Sequence, residues 1–268
     1  MRQPETVELT TESLEELLEQ VHDGTIQVPE FQRAVVWDDD GIKLLLASVS
    51  LSYPIGAVKL LRAGSREVRF ASHPVAGAPS SSIKPRRLLL DGQHRIAALY
   101  QVLASGRMVP THDAHDKPIH RWYYIDINAA LDPDVDRDEA ITSVPETREL
   151  RGANRIELDV TTPELEWEQC LFPLSLVFGS DAELRRWKRG FAEFGARQQA
   201  TVRERLIHRF DAEVLDAFRT YLVPTIIIGK ERTRWAVRVH GGRDGRNLSD
   251  LFRVTEHTEH TERDDQPT

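Results

Sequence analysis

Within the run RLLLDGQHRIAALY, an acid, a glycine, an amide, an imidazole and a guanidinium occupy five consecutive positions, Asp91 to Arg95, directly after an apolar stretch. The pattern predicts a buried strand ending at Asp91, a tight turn at Gly92 and a helix from about Gln93 to Leu103. Such a junction aims free backbone N–H groups and the positive end of a helix at one point, and an anion can bind there without other machinery. Arg95, in the first helical turn, adds a forked pair of donors suited to phosphate. Gln93 and His94 supply further polar contacts, and Asp91 is suited to hold a magnesium ion that bridges phosphates or to orient a water. A plainer account also fits these residues: Asp91 as a helix cap, Gly92 as a turn residue and Arg95 as a surface charge. The Walker pattern GxxxxGK[ST] is absent from the sequence.

A second dense segment is Pro29-Glu30-Phe31-Gln32-Arg33, followed by Trp37. Phe31 and Trp37 either anchor this stretch in the core or clamp a flat ring, with Gln32 and Arg33 facing the same cleft. The alternative is a packed aromatic pair beside a surface arginine. Other groupings read more plainly. His112, His115 and His120 lie with Asp113 and Asp116 between Pro110 and Pro118, which argues for a solvated loop over a zinc site. Cationic residues along 181–219, among them Arg185, Lys188, Arg203 and Arg209, alternate with acids as on a salt-bridged solvent face. A basic stripe for a DNA backbone is the competing reading. Trp187, Phe191 and Phe194 recur at helical spacing, as core residues do. Cys170 reads as a small buried hydrophobe, and no nucleophile–histidine–acid set is apparent.

Around these residues the sequence places helices at 11–23, 41–51 and 93–103 and strands near 26, 57, 68, 88, 123 and 225. Thr11 or Ser13 caps the first helix, and one of Asp38, Asp39 and Asp40 caps the second. Two amphipathic helices follow, 181–194 and 197–219, divided near Gly195; a weaker strand is expected at 235–239. The class is therefore α+β, a small mixed sheet flanked by helices with an appended helical region. Residues 109–120 read as a loop, and the final dozen residues lack core-forming side chains and are expected to be disordered.

Composition narrows the function classes. The chain has 268 residues, 40% of them hydrophobic and 29% charged, enough for a self-sufficient core in one large or two small domains. A formal net charge of −8 excludes a wholly basic nucleic-acid coat, though not a local basic groove. A single cysteine excludes an intrachain disulfide and a cysteine-based zinc site. No apolar run is long enough to span a membrane, and the acidic N-terminal stretch is unlike a signal peptide, so a cytoplasmic setting is expected.

Taken in order, VPEFQRAVVW, YPIGAVKLL and LLLDGQHRIAALY resemble the N-terminal domain of GmrSD-type restriction endonucleases, a member of the ParB/sulfiredoxin-like superfamily. The resemblance is clear over about residues 12–105 and weaker to about 255. The family's central motif usually carries two glutamines, DGQQR; here the second is His94, which would tie the site's behaviour to pH. The stretch from Val239 departs from the family pattern.

The resemblance implies a ParB-like domain over residues 1–160, a helical extension packed on it over 161–240, and a divergent, partly disordered tail over 241–268. It implies a nucleotide-binding or NTP-hydrolysing sensor module of a bacterial modification-dependent restriction system that acts against phage. Asp91, Gly92, Gln93, His94 and Arg95 would form the nucleotide site, with Gln32 and Arg33 across the cleft; Asp91, Gln93, His94 and Arg95 would carry any catalysis. Mg2+, held at Asp91, and an NTP are the implied cofactor and ligand. No His-Asn-His arrangement appears after residue 220, so the implied partner is a His-Asn-His nuclease, on another chain or in a further region. The alternative function is a non-catalytic DNA-binding or partner-assembly module of the same fold.

Overall fold

A computed structural model describes residues 7–32, 36–63, 71–153, 155–195 and 197–229. Arg33, most of the strand expected near 68, the strand expected at 235–239 and the whole 241–268 tail lie outside the described residues.

Capping residues set the starts of the main helices. Ser13 Oγ accepts the Glu16 amide at 3.1 Å and opens α1 (Leu14–His22). The residues before that cap are extended rather than helical: β1 (Val7–Ser13) is rich in threonine and pairs along its length with a distant strand. The helix expected from 11 thus starts at 14. Gly24 and β2 (Ile26–Pro29) follow. Asp38 accepts the Gly41 amide at 2.6 Å and opens α2 (Asp39–Ser50), whose Ile42, Leu45, Leu46 and Val49 face the core. Next come β3 (Val58–Arg62), β4 (Ser72–Pro74), β5 (Arg87–Asp91) and α3 (Gln93–Leu103).

The later elements are β6 (Val109–His112), β7 (Pro118–Asp126), α4 (Ile127–Leu131), β8 (Ile141–Val144), β9 (Glu149–Arg151) and β10 (Ile156–Asp159). They continue with α5 (Pro163–Glu168), β11 (Leu171–Pro173), α6 (Asp181–Glu193), α7 (Arg197–Phe210), α8 (Asp216–Arg219) and β12 (Leu222–Ile228). The helix expected to run unbroken over 197–219 instead passes through a π-helical turn at Asp211–Leu215 between α7 and α8.

Six strands form the central mixed sheet in the order β1-β12-β3-β5-β2-β4. β12 runs parallel to β3 and β2 parallel to β5; the other neighbours are antiparallel. The 161–240 region therefore contributes an inner strand to this sheet as well as helices. Alternation along β5 sends Leu89 into the main core, while Leu88 and Leu90 join Leu61 in a small cluster of their own. The main core packs α1, α2 and α3 against the sheet through Leu14, Leu17, Leu46, Ile96, Leu99 and Leu103, each nearly or fully buried. At about 1.5–3 kcal/mol for a fully buried large apolar side chain, this seam fixes α3, and with it the β5–α3 junction.

The strand near 123 does not join the central sheet. β7 pairs with β6, β8 and β11 in a separate four-stranded antiparallel sheet. The 109–120 segment, expected as a loop, is the arm of a hairpin: β6 and β7 turn through Asp113–Lys117, where Asp113 Oδ1 accepts the amides of His115 and Lys117 at 2.9 and 3.0 Å. The prolines that argued against a strand sit at its ends and edge, where a missing N–H is tolerated.

Candidate functional site

The β5–α3 junction has the expected shape. Gly92 is left-handed, with φ 87° and ψ 8°, and as the N-cap residue of α3 it has no side chain to cap with. A Cβ there would stand 3.1 Å from Val58 Cγ2 and 3.3 Å from Arg95 Nη2, so any larger residue is both strained and crowded. Asp91 Oδ1 accepts the Gly92 amide at 2.8 Å, and Oδ2 lies 3.1 Å from the ammonium of Lys59, which faces Asp91 across the β3–β5 ladder. Gln32 reaches the same place from the 29–32 turn: its Nε2 donates to the Leu90 carbonyl at 2.6 Å, while its Oε1 is buried with no partner among the described residues. Gln93 Nε2 and His94 Nε2 lie 3.3 Å apart.

Arg95 does not point into solvent. Its Nη1 donates to the Ile55 carbonyl and its Nη2 to the Ala57 carbonyl at 3.0 Å, with Asp91 Oδ1 3.9 Å away. The guanidinium thus fastens the 55–57 turn to the junction. Tyr221 holds the same turn from the far side: its hydroxyl donates to the Tyr53 carbonyl at 2.7 Å and accepts the Ile55 amide at 3.2 Å.

Trp37 is half-buried against the core and lines two clefts. One, with a cavity of about 80 Å³, runs along α3 past Gln93, His94, Ala97 and Gln101. The other is wider and shallower, about 410 Å³, with Leu44, Ser48, Ile55 and Arg95 in its wall. Phe31 is 43% exposed and does not anchor in the core. The structure therefore gathers Gln32, Asp91, Gly92, Gln93, His94 and Arg95 at one junction, with clefts beside it. Lys59, His73 and Gln101 were missed. Lys59 gave no signal in sequence, because it meets Asp91 only through the strand pairing. Gln101 did carry one: a polar residue between Tyr100 and Val102, on a helix stretch otherwise bound for the core.

Elsewhere many polar residues have structural partners, although Arg121 Nε and Trp167 Nε1 are buried without one among the described residues. Glu166 is 3% exposed, accepts Trp187 Nε1 at 2.7 Å and Tyr124 Oη at 3.2 Å, and lies 3.7 Å from the Arg148 guanidinium. Burial raises its pKa above the ordinary glutamate value, against the opposing pull of the Trp187 and Tyr124 hydrogen bonds and of Arg148. Of the cations on α6–α8, Arg185 pairs with Asp181, Lys188 and Arg219 with Asp211, and Arg209 with Glu213. Arg203 donates to the Trp167 carbonyl and lies over Phe191 and Phe194. These are features of a salt-bridged face. Trp187 and Phe191 are buried and stacked, with centroids 5.4 Å apart. Cys170 packs against the main core but is only partly buried, at a turn where its φ is a positive 55°. Among the described residues no group of three His, Cys, Asp or Glu could hold a metal, the 112–120 hairpin included. Among the same residues no helix is long and apolar enough to cross a membrane.

Comparison with known proteins bears on this junction. The uncharacterized protein MJ0686 of Methanocaldococcus jannaschii is 24% identical over 224 residues, 82% of this chain and 36% of that protein. The chain thus spans little more than a third of the length of its curated relative. A family profile described as the N-terminal domain of GmrSD restriction endonuclease matches residues 14–169, from the first residue of α1 through α5, with the β5–α3 junction inside it. The match takes in more than half of the chain and all three motifs, and the protein belongs to the family of GmrSD restriction endonuclease N-terminal domains.

Proposed function

We propose that the β5–α3 junction captures the phosphate groups of a nucleotide, and that the chain is the nucleotide-responsive sensor module of a bacterial restriction system. One observation carries this reading: a left-handed glycine turns the N-terminus of α3 into a cluster of Lys59, Arg95, Gln32, Gln93 and His94 beside two clefts. Backbone amides at the start of α3 and the Lys59 ammonium supply positive potential at one point. Family membership supports the restriction context; cutting would fall to a His-Asn-His nuclease, as a partner or a further region.

Arg95 gives the site a means of signalling. Two of its five N–H donors go to carbonyls of the 55–57 turn, and Asp91 Oδ1 lies 3.9 Å away. A guanidinium–phosphate pair is charged on both sides and can be bidentate, which favours it over a guanidinium–carbonyl bond. A phosphate arriving at the junction would therefore compete for the guanidinium and loosen the turn, an order-to-disorder change a partner could sense. Asp91 is the carboxylate the junction offers. A magnesium ion that keeps its waters and travels with phosphates needs only one or two such ligands, which this donor set fits. When bound, it would neutralise charge on the phosphates. Asp91 and His94 would then orient a water for hydrolysis.

The test is calorimetric titration of the purified chain with each NTP, with and without Mg2+, alongside phosphate release, for wild type, Asp91→Ala and Arg95→Ala. Binding that falls at least tenfold in both variants is expected. No binding and no release with any nucleotide would reject the reading; DNA affinity that drops steeply with salt and ignores nucleotide would favour a DNA-binding or assembly module.

A further inference from the structure

The central sheet ends on an open strand. β1 stands at one edge of it, paired with β12 on one side and with no strand on the other among the described residues. The ladder with β12 shows which backbone groups face outward. The Leu14 amide donates to the Tyr221 carbonyl at 2.9 Å, one step beyond the Ser13–Leu222 pair. Hydrogen-bonded and non-bonded pairs alternate along an antiparallel ladder, so Glu8, Thr10 and Glu12 turn their N–H and C=O groups to β12. Val7, Leu9 and Thr11 turn theirs to the open edge. Pro224, opposite Thr11, agrees with this phase, since a non-bonded pair asks nothing of the N–H that proline lacks.

Edge strands are commonly guarded by a proline, a lysine, a bulge or extreme shortness. β1 has none of these: it is seven residues long, VELTTES, and its register with β12 is unbroken. Leu9 is 76% exposed and Val7 47%. Both share a face with Ile226, Ile228 and Leu61, on the side of the sheet opposite the main core. Glu8 and Glu12 point to the other side, where Arg62 and Arg87 pair with them. The edge therefore offers unpaired amides and carbonyls and an apolar face, with its charges already compensated.

We propose that β1 is a dimer interface: two copies of this chain pair through β1, antiparallel, about a two-fold axis at Leu9, and their six-stranded sheets become one. Charge selects that centre. A two-fold at Glu8 sets Glu8 against its own copy, and one at Thr10 sets Glu8 against Glu12; like charges directly opposite are destabilising. A centre at Thr11 leaves Val7 unpaired and separates the leucines. A centre at Leu9 places Glu8 opposite Thr10, Val7 opposite Thr11 and the two exposed leucines side by side. Leu9 then exchanges both hydrogen bonds with its copy, as Val7 does with Thr11. The strand is thus complementary to itself, which a foreign strand would have to match. Leu9, Ile226, Lys59 and Asp91 also form one row across the sheet. In the dimer that row runs on through the second copy, so the Lys59–Asp91 pairs of both chains lie on one continuous face. The pairing does not depend on what the junction binds.

Sedimentation equilibrium of the full chain should show a monomer–dimer equilibrium over about 1–100 µM. Leu9→Lys and Leu9→Glu each bring like charges together at the axis and should weaken the dimer by about tenfold or more. Their far-UV circular dichroism should stay that of the wild type, because the Leu9 side chain lies outside the core. An equimolar mixture of the two variants should dimerise again, since opposite charges then meet at the axis. Thr11→Pro removes an outward N–H that the ladder with β12 does not use, and should also weaken the dimer. A wild-type chain that stays monomeric over the whole range overturns the proposal. A dimer that survives both Leu9→Lys and Thr11→Pro overturns it too, by placing the interface elsewhere. A mixture that stays monomeric does the same, because only self-pairing centred on Leu9 predicts the recovery.

Discussion

The two sheets of this protein hold their carboxylates in different settings. Against the antiparallel sheet, Glu166 is buried and its oxygens face three partners, Trp187, Tyr124 and Arg148. Arg148 is used a second time, 4.6 Å over the Trp122 ring. At the central sheet, Asp91 keeps a side chain 44% exposed beside Lys59, and two glutamines, Gln32 and Gln101, each hold a buried oxygen without a partner among the described residues. The antiparallel side leaves unpaired donors of its own, Arg121 Nε and Trp167 Nε1, so the difference lies in the carboxylates: that of Glu166 is buried among partners, that of Asp91 is partly exposed beside clefts. A closed network fixes a fold, whereas unpaired acceptors beside a cleft are costly unless something else arrives to pair them.

Breaking the closed network should have the largest effect. Glu166→Ala strands a buried indole N–H and a phenol and should lower stability by about 3–5 kcal/mol in urea unfolding, the range for removing one member of a buried charged pair. Gly92→Ala comes next: a left-handed alanine costs about 1–2 kcal/mol, and nucleotide binding should be lost with it even where the protein is folded, as read by calorimetry on the folded fraction. Glu166 also gives a pH signature. Its pKa is raised on folding, so the folded state holds the proton more tightly than the unfolded one. The stabilising contribution is complete below the ordinary glutamate value and is lost as pH rises through the raised one. Subtracting the pH–stability curve of Glu166→Gln from that of wild type should show that fall, and a flat difference would refute it. The smallest stability change belongs to Asp91→Asn, below about 1 kcal/mol for a part-exposed ion pair, accompanied by a loss of nucleotide affinity. A large stability loss in that variant would erase the contrast between the two sheets.

Features encoded within a few residues were legible from sequence. Ser13, Asp38 and Gly92 mark helix starts by their own side chains or by the lack of one, and Trp187 and Phe191 reveal the buried stripe of α6, whereas Phe194, read with them, is an extended, partly buried residue just past the helix end. The acid–glycine–amide run at Asp91 to Gln93 showed the junction for the same reason. Pairings across the chain were not legible. β1 is extended because β12 lies beside it, and the threonines of Val7–Ser13 only permit that outcome. The β6–β7 hairpin was hidden by prolines that are harmless at a strand edge. Lys59 reaches Asp91 through β3–β5 register, and Arg95 reaches the Ile55 and Ala57 carbonyls through a turn whose position Tyr221 sets. Such contacts are properties of topology, which local pattern does not specify.

The seating of β12 between β1 and β3 has a consequence for how the molecule is made. Val7–Ser13 and Leu222–Ile228, the first and last strands among the described residues, pair with each other, so during synthesis the earlier one must wait for nearly everything between them. During that wait the edges of β1 and β3 that β12 will cover are open, and such edges invite association with neighbouring nascent chains. Contacts this distant along the polypeptide slow the search for the native state. Maturation is therefore a late, concerted closure, and the turn that Arg95 grips acquires its Tyr221 support only at that final step.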